Sequence, residues 1–175
     1  MHPFAIILGG LTAREGIQQV IELNERHKVF NQAREHADSI GLPLLVVGTP
    51  KHSFSHPEGD VTIDNDPAKQ GQGNTELADV RDIPYPSSYF GAAYASHILE
   101  HLPTVDDACV ALDELKRVAD KVFVISPHKS SVIAWLNPNH HIWVTNSGDG
   151  FILEQRGNPG VTPREKSYII SLSVI

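Results

Sequence analysis

Apolar and polar positions along the chain fall into runs whose spacing separates helix from strand. Ile17, Val20 and Ile21 share one helical face, and Phe30, Ala33, Ala37 and Ile40 share another, with polar residues 24–28 between them. This spacing is compatible with one bent helix or two. Thr12 and Glu15 stand at the spacing of a capping box, which predicts that the helix begins there. The apolar run 4–11 before it falls well short of the ~20 residues that span a bilayer, and no basic flank precedes it. It is expected to be a short buried segment and not a membrane anchor. Gly41 and Pro43 stop the helix, and Leu44-Leu45-Val46-Val47 then forms a continuous apolar run ended by Gly48. That is the pattern of a strand buried on both faces of a parallel sheet.

Prolines and glycines dominate the next stretch and leave one short strand, Val61-Thr62-Ile63, closed by Asp64-Asn65-Asp66. Regular structure resumes over 75–80, and an apolar strand is predicted over 90–95. Thr104 and Asp107 repeat the capping-box spacing, and Ala108, Leu112, Leu115 and Ala119 recur at helical intervals behind them. Asp106 and Asp107 at the start, with Lys116 and Arg117 near the end, complement the helix dipole. A buried strand over 122–125 follows, ended by Pro127. Three further strands are predicted over 142–145, 151–155 and 167–174, the last two as an antiparallel pair joined by the loop 156–163. The order predicts an α/β fold: a Rossmann-like parallel sheet with a C-terminal antiparallel hairpin and shortened helical connections. With no repeat, coiled coil or linker in sight, residues 1–175 read as one domain, an N-terminal helical region over 1–42 leading into a core over 43–175.

Composition narrows the function classes. The chain has 175 residues, 41% hydrophobic and 20% charged, which is ordinary for a globular protein. A net charge of −7 argues against a broad basic surface and so against nonspecific nucleic-acid binding. The single cysteine, Cys109, forms no internal disulfide and no thiolate zinc cluster, so a reducing cytoplasm is the expected compartment. Cys109 itself reads as a buried helical thiol. Neither a membrane nor a nucleic acid is expected as a partner, and the sequence leaves the oligomeric state open.

In open α/β sheets, ligands sit beyond the carboxyl ends of the strands. The polar residues there are Gly48, the turn Asp64-Asn65-Asp66, Asp79, Ser96 with His97, and Ser126. An ionised Asp64 after the second strand can accept both hydroxyls of a ribose, although taken alone it is as readily a turn residue. Asp79 can accept from an adenine amino group while the backbone of Val80 serves a ring nitrogen. Acids at successive strand ends, 15 residues apart, point to a nucleoside ligand.

The stretch Asp79-Val80-Arg81-Asp82-Ile83-Pro84-Tyr85-Pro86, running on to Ser96-His97-Ile98-Leu99-Glu100-His101-Leu102, resembles class I S-adenosylmethionine-dependent methyltransferases of the type 11 group. Glu114-Leu115-Lys116-Arg117-Val118 and the strand into Ser126-Pro127 continue the resemblance, which covers about residues 44–127. It implies a Rossmann-like sheet of about seven strands, with S-adenosylmethionine as cofactor. On the matching positions, Gly48 lies beneath the methionine part, Asp64 with Asn65 takes the ribose, Asp79 and Val80 hold adenine, and Ser96 and His97 border the reactive methyl group. The first glycine motif is degenerate, because Val46 holds the place of the family's acid and Gly48-Thr49-Pro50-Lys51-His52 offers one glycine. Eleven residues, 49–59, with two prolines leave no room for the usual helix between the first two strands. Gly91 replaces a frequent acid, and Ala119-Asp120-Lys121 replaces a Pro-Gly-Gly turn.

The ten histidines invite a second reading. His97-Ile98-Leu99-Glu100-His101 matches the H-x-x-E-H pattern of zinc hydrolases, but that pairing needs a sustained helix and Pro103 follows at once. No metal is therefore expected. His140 and His141, after the fifth strand, are candidate bases or substrate contacts on a loop over 128–141; the plainer reading is a surface loop pinned by Trp135 and Trp143. His2, His27, His36, His52 and His56 read as solvated. The function expected is methyl transfer to a small-molecule acceptor, chosen by elimination, with His97, His140 and His141 as catalytic candidates. The alternative is a noncatalytic binding or assembly module on the same fold that has lost its cofactor.

Overall fold

A computed structural model describes residues 3–50, 57–148, 150–157 and 165–169. The chain opens with α1 (Pro3–Ile40), followed by β1 (Leu44–Val47), β2 (Val61–Asp64), β3 (Thr75–Leu77), β4 (Phe90–Ser96), α2 (Val105–Val118) and β5 (Ala119–Ile125). The short helix α3 (Val132–Leu136) then precedes β6 (Ile142–Asn146), β7 (Gly150–Gln155) and β8 (Glu165–Ile169). The expected continuation of the last strand over 170–174, most of the loop 156–163, and His2, His52 and His56 lie outside the described residues.

The five strands β1 to β5 form one parallel sheet in the order β3-β2-β1-β4-β5. Chain order reverses between β1 and β4, so the crevice at the carboxyl edge of those two strands is where such a sheet accepts a ligand. Leu44, Leu45 and Val46 of β1 are fully buried, as a strand covered on both faces must be. The connections stay short: among the described residues, only a 3-10 turn (Pro67–Lys69) lies between β1 and β3, and α2 is the one helical crossover between neighbouring strands. β6, β7 and β8 do not extend the parallel sheet, and the seven-stranded sheet that the resemblance implies is split. They form a separate antiparallel sheet in the order β6-β7-β8.

The capping box of α2 is formed as the spacing predicts. Thr104 Oγ1 accepts from the Asp107 N–H at 3.1 Å, and the Asp107 carboxylate accepts from the Thr104 N–H at 3.2 Å. Ala108, Leu112 and Leu115 bury completely on the sheet face that also receives Ile142, Phe151 and Leu153 from the antiparallel sheet. α2 passes straight into β5, which begins at Ala119 opposite Phe90 and not at residue 122.

The Thr12–Glu15 spacing does not mark a helix start, because α1 runs through it as one helix from Pro3 to Ile40. The apolar run 4–11 lies within that helix. Nothing before it breaks the helix, and the same spacing recurs inside helices. Phe30, Ala33 and Ala37 pack on Leu44, Val46, Ala92 and Tyr94, covering the opposite sheet face from α2. The Ile17, Val20 and Ile21 face packs on nothing comparable among the described residues and stays 45–62% exposed. Length explains the difference. The last 15 residues of α1 span about 22 Å at 1.5 Å each, which matches the roughly 23 Å of the seven-residue β4. Ala37 contacts Gly91 at the start of β4, while the Arg26 carbonyl accepts from the Tyr94 hydroxyl near its end, so α1 runs antiparallel to the strands. The part of α1 before about residue 26 overhangs the carboxyl edge. Gly91 permits this packing, since a Cβ there would lie 2.8 Å from Ala37 Cα.

Candidate active site

The overhang of α1, the carboxyl edge of the sheet and the segment after β5 enclose one cavity of about 1030 Å³. Val47, Ile63, Val80, Ile98 and Leu102 give it an apolar floor, and Gly48, Asp64, Asn65, Ser96 and His97 bring polar groups to its rim. Gln19, Glu22 and Arg26 face it from α1, and Ser131, Asn137, Asn139 and His140 face it from the far side.

Gly48 follows β1 with φ +90°, a conformation open to glycine, and a Cβ there would meet Ile98 Cδ1 at 2.7 Å. The next amide, Thr49 N–H, donates to Asp64 Oδ2 at 2.8 Å, and Asp66 N–H donates to Oδ1 at 3.0 Å. Burial acts to raise the Asp64 pKa, but these backbone bonds and the Lys69 charge outweigh it and hold the carboxyl below its usual range. An ionised carboxylate therefore stands at the end of β2 with lone pairs to spare.

Asp79 occupies the same sheet edge, since β2 and β3 are parallel and the Ala78 N–H donates to the Asp64 carbonyl at 3.0 Å. Its carboxylate is gripped by Arg81, through Nη2 at 2.6 Å and Nε at 3.0 Å, and Arg81 reaches on to Asp107 at 2.8 Å. Ala78 and Val80 face the cavity and the Asp79 side chain does not. Sequence reasoning could not have found Arg81 as its partner by periodicity, because the pair closes through a turn.

His97 takes φ +56° between β4 and a single 3-10 turn (Leu99–His101), so the helical histidine pair of an H-x-x-E-H zinc site does not form. Its Nδ1 accepts from Arg26 Nη2 at 3.0 Å. The Ser96 hydroxyl beside it is buried with no hydrogen-bond partner. His140 is 7% exposed and lines the cavity, whereas His141 does not. Burial, helped by the charges of His101 and Arg156, pushes the His140 imidazole down to about 4, so it is neutral at pH 7. His141 serves the backbone: its N–H donates to the Glu100 carbonyl at 2.7 Å. The loop before it is pinned as expected by Trp135 against Trp143, with ring centroids 4.9 Å apart and the Arg156 guanidinium over both.

The sequence reading did not assign α1 to the site, yet α1 supplies a wall of the cavity. Glu100, weighed there only within the H-x-x-E-H pattern, is 1% exposed and linked to Ser126 at 3.2 Å, with burial pushing its pKa up to about 7. Leu99 and Leu102 around Glu100 are the local signal that it would be drawn inside. Cys109 is buried in α2.

The sequence profile of a family described as a methyltransferase domain matches residues 10–122, well over half of the chain. The chain belongs to that family. These are the class I methyltransferases that its strand-end residues resemble, and the Rossmann-like sheet is theirs. Among solved structures, DesVI from Streptomyces venezuelae is 13% identical, with a TM-score of 0.46 over 85% of this chain and 75% of the other. The sugar N-methyltransferase KedS8 from Streptoalloteichus sp ATCC 53650 is 15% identical, with a TM-score of 0.45 over 86% and 72%. The N-methyltransferase NodS from Bradyrhizobium japonicum WM9, solved with S-adenosyl-l-homocysteine, is 15% identical, with a TM-score of 0.41 over 77% and 80%. Likeness at this level transfers no activity to this methyltransferase-family chain. No curated protein matches it in sequence. None of its described helices is long and apolar enough to cross a membrane.

Proposed function

We propose that this protein transfers a methyl group from S-adenosylmethionine to a small-molecule acceptor held in the same cavity. The observation that carries this reading is the convergence of Gly48, Asp64, Val80 and Ser96 on one cavity at the reversal point of the sheet. The donor set fits a nucleoside with an amino-acid tail: a carboxylate for the ribose, an apolar slot for the base, a close-approach glycine and an orphaned buried hydroxyl. Asp64 with Asn65 would hold the ribose and Val80 the adenine face, and the Asp79 carboxylate, held outside the cavity by Arg81, would have to leave that pairing to meet the adenine edge. Gly48 would lie under the methionine part, and Ser96 and His97 would border the transferred methyl.

When bound, the cofactor supplies an electrophilic sulfonium methyl group; the chain supplies alignment and a dry wall. The His97 lone pair at Nδ1 is engaged by Arg26, so His97 positions, and His140, neutral and cavity-facing, is the group able to accept a proton. His141 supports that loop through its backbone. The helical region 1–42 then belongs to the site and to one domain with the core, since α1 walls the cavity. One thiol and no disulfide suit the cytoplasm.

One observation favours the second reading, a binding module without catalysis: Arg81 already consumes the Asp79 carboxylate. Calorimetric titration with S-adenosylmethionine and S-adenosylhomocysteine, on protein checked for copurified ligand, separates the two. Saturable binding at one per chain supports the enzyme, and no binding of either establishes the module.

A further inference from the structure

Glu100, His101 and His140 each offer one ligand atom, and these three atoms all lie within 4.8 Å of one another. The cluster draws on two separate segments, the 3-10 turn after β4 and the loop before β6, and two hydrogen bonds bind those segments together. His141 N–H donates to the Glu100 carbonyl at 2.7 Å, and His101 Nδ1 lies 3.0 Å from the Asn139 carbonyl. A carbonyl only accepts, so His101 carries its proton on Nδ1 and its lone pair on Nε2. A backbone carbonyl holding the far nitrogen is how proteins orient a metal-binding imidazole. The two rings meet edge to face with centroids 4.7 Å apart.

The other two residues each carry a buried polar atom without a hydrogen bond. Glu100 Oε1, which lies 3.5 Å from His97 Nδ1, and His140 Nδ1 are buried and have no hydrogen-bond partner, in side chains that are 1% and 7% exposed. Buried polar atoms are satisfied in the great majority of cases, because an unpaired one costs about 1–3 kcal/mol. Here two such orphans lie in the same three-residue cluster.

We propose that Glu100, His101 and His140 form a binding site for one divalent first-row transition ion of the zinc class. Two imidazoles and one carboxylate with no thiolate suit zinc or its neighbours, whereas magnesium and calcium prefer all-oxygen sets. Donors at the corners of a triangle with sides of up to 4.8 Å lie at most about 2.8 Å from its centre, and zinc–ligand distances of about 2.0–2.2 Å need each donor to move by under about 0.8 Å. Three protein ligands leave a fourth position open, the arrangement of sites that exchange a ligand. His101 and His140 both line the large cavity, so that open position faces it and takes an oxygen or nitrogen donor of a small molecule bound there. The site shares His101 and Glu100 with the H-x-x-E-H stretch but replaces His97, which Arg26 holds, by His140 from 39 residues downstream. It departs from the expectation that the chain carries no metal, it does not rest on cofactor binding, and while an ion is held there the His140 lone pair accepts no proton.

The test is titration of the chelator-treated, full-length chain with Zn²⁺ by calorimetry and with Co²⁺ by its visible d–d absorption, without S-adenosylmethionine. Saturation at one ion per chain is expected. Glu100→Gln, which keeps the shape, and His101→Ala, on an exposed ring, should each weaken binding by more than about 100-fold, beyond the cost of losing an outer-shell partner. His140→Ala should do the same, and His97→Ala, which removes only a neighbour of the Glu100 carboxylate at 3.5 Å, should weaken binding by no more than about 10-fold. Failure of the wild type to saturate, survival of binding in both Glu100→Gln and His101→Ala, or loss confined to His97→Ala would each overturn the site. Because the first two variants avoid large holes, a folding defect in His140→Ala does not obscure the result.

Discussion

Replacing Asp64 tests the proposed nucleoside site most directly, and the structure sets the size of the effect. Its carboxylate takes the Thr49 and Asp66 N–H groups at 2.8 and 3.0 Å, one on each oxygen. Each oxygen keeps a lone pair, and the residue lines the cavity, so a ribose diol adds hydrogen bonds without displacing the backbone. Hydrogen bonds to a charged group are worth about 1.5–3 kcal/mol, and partial exposure brings the expected loss on Asp64→Ala to about 1–3 kcal/mol. At 1.4 kcal/mol per decade, that is roughly 5- to 150-fold in Kd for S-adenosylhomocysteine. Asp64→Asn keeps one acceptor oxygen and should fall between. Calorimetry reads the affinity, and circular dichroism with a thermal melt establishes that each variant is folded. The reasoning is refuted by a folded Asp64→Ala variant that binds S-adenosylhomocysteine as tightly as the wild type.

Leu112 is fully buried between α2 and the sheet, so Leu112→Ala should cost about 2–5 kcal/mol in urea unfolding; a loss under about 1 kcal/mol would mean that the α2 face is not a packed core. Asp79 and Asp107 are held below their usual pKa chiefly by hydrogen bonds from Arg81 and Thr104 respectively. Depressed folded-state values mean stability that is present above the unfolded pKa near 4 and lost as pH falls through the lower folded values. Arg81→Gln should therefore flatten the decline in stability below about pH 4 while costing under about 1 kcal/mol at pH 7, because the groups are partly exposed. An acid-unfolding curve identical to wild type would show that the cluster contributes nothing. His140→Ala should lower turnover by about 100-fold, with S-adenosylhomocysteine affinity nearly intact; equal losses in both would make the loop a cofactor lid, and wild-type turnover would remove it from the chemistry.

What the chain states locally, it states clearly. Four consecutive apolar residues closed by Gly48 specify β1, and Thr104, Asp107 and the terminal charges specify α2, because period and capping act within a few residues. The carboxyl-edge positions of Asp64 and Ser96 followed from strand order alone. Ile17, Val20 and Ile21 repeat at helical spacing too, yet only the depth of the sheet decides that they overhang its edge. Gly91 reads as a missing acid until the close approach of Ala37 shows what it permits. The reach of Arg81 on to Asp107, and the meeting of Glu100 and His101 with His140 across 39 residues, are nonlocal. No periodicity encodes them, since a contact between distant segments depends on how the elements between them pack, and that is decided by the whole core at once.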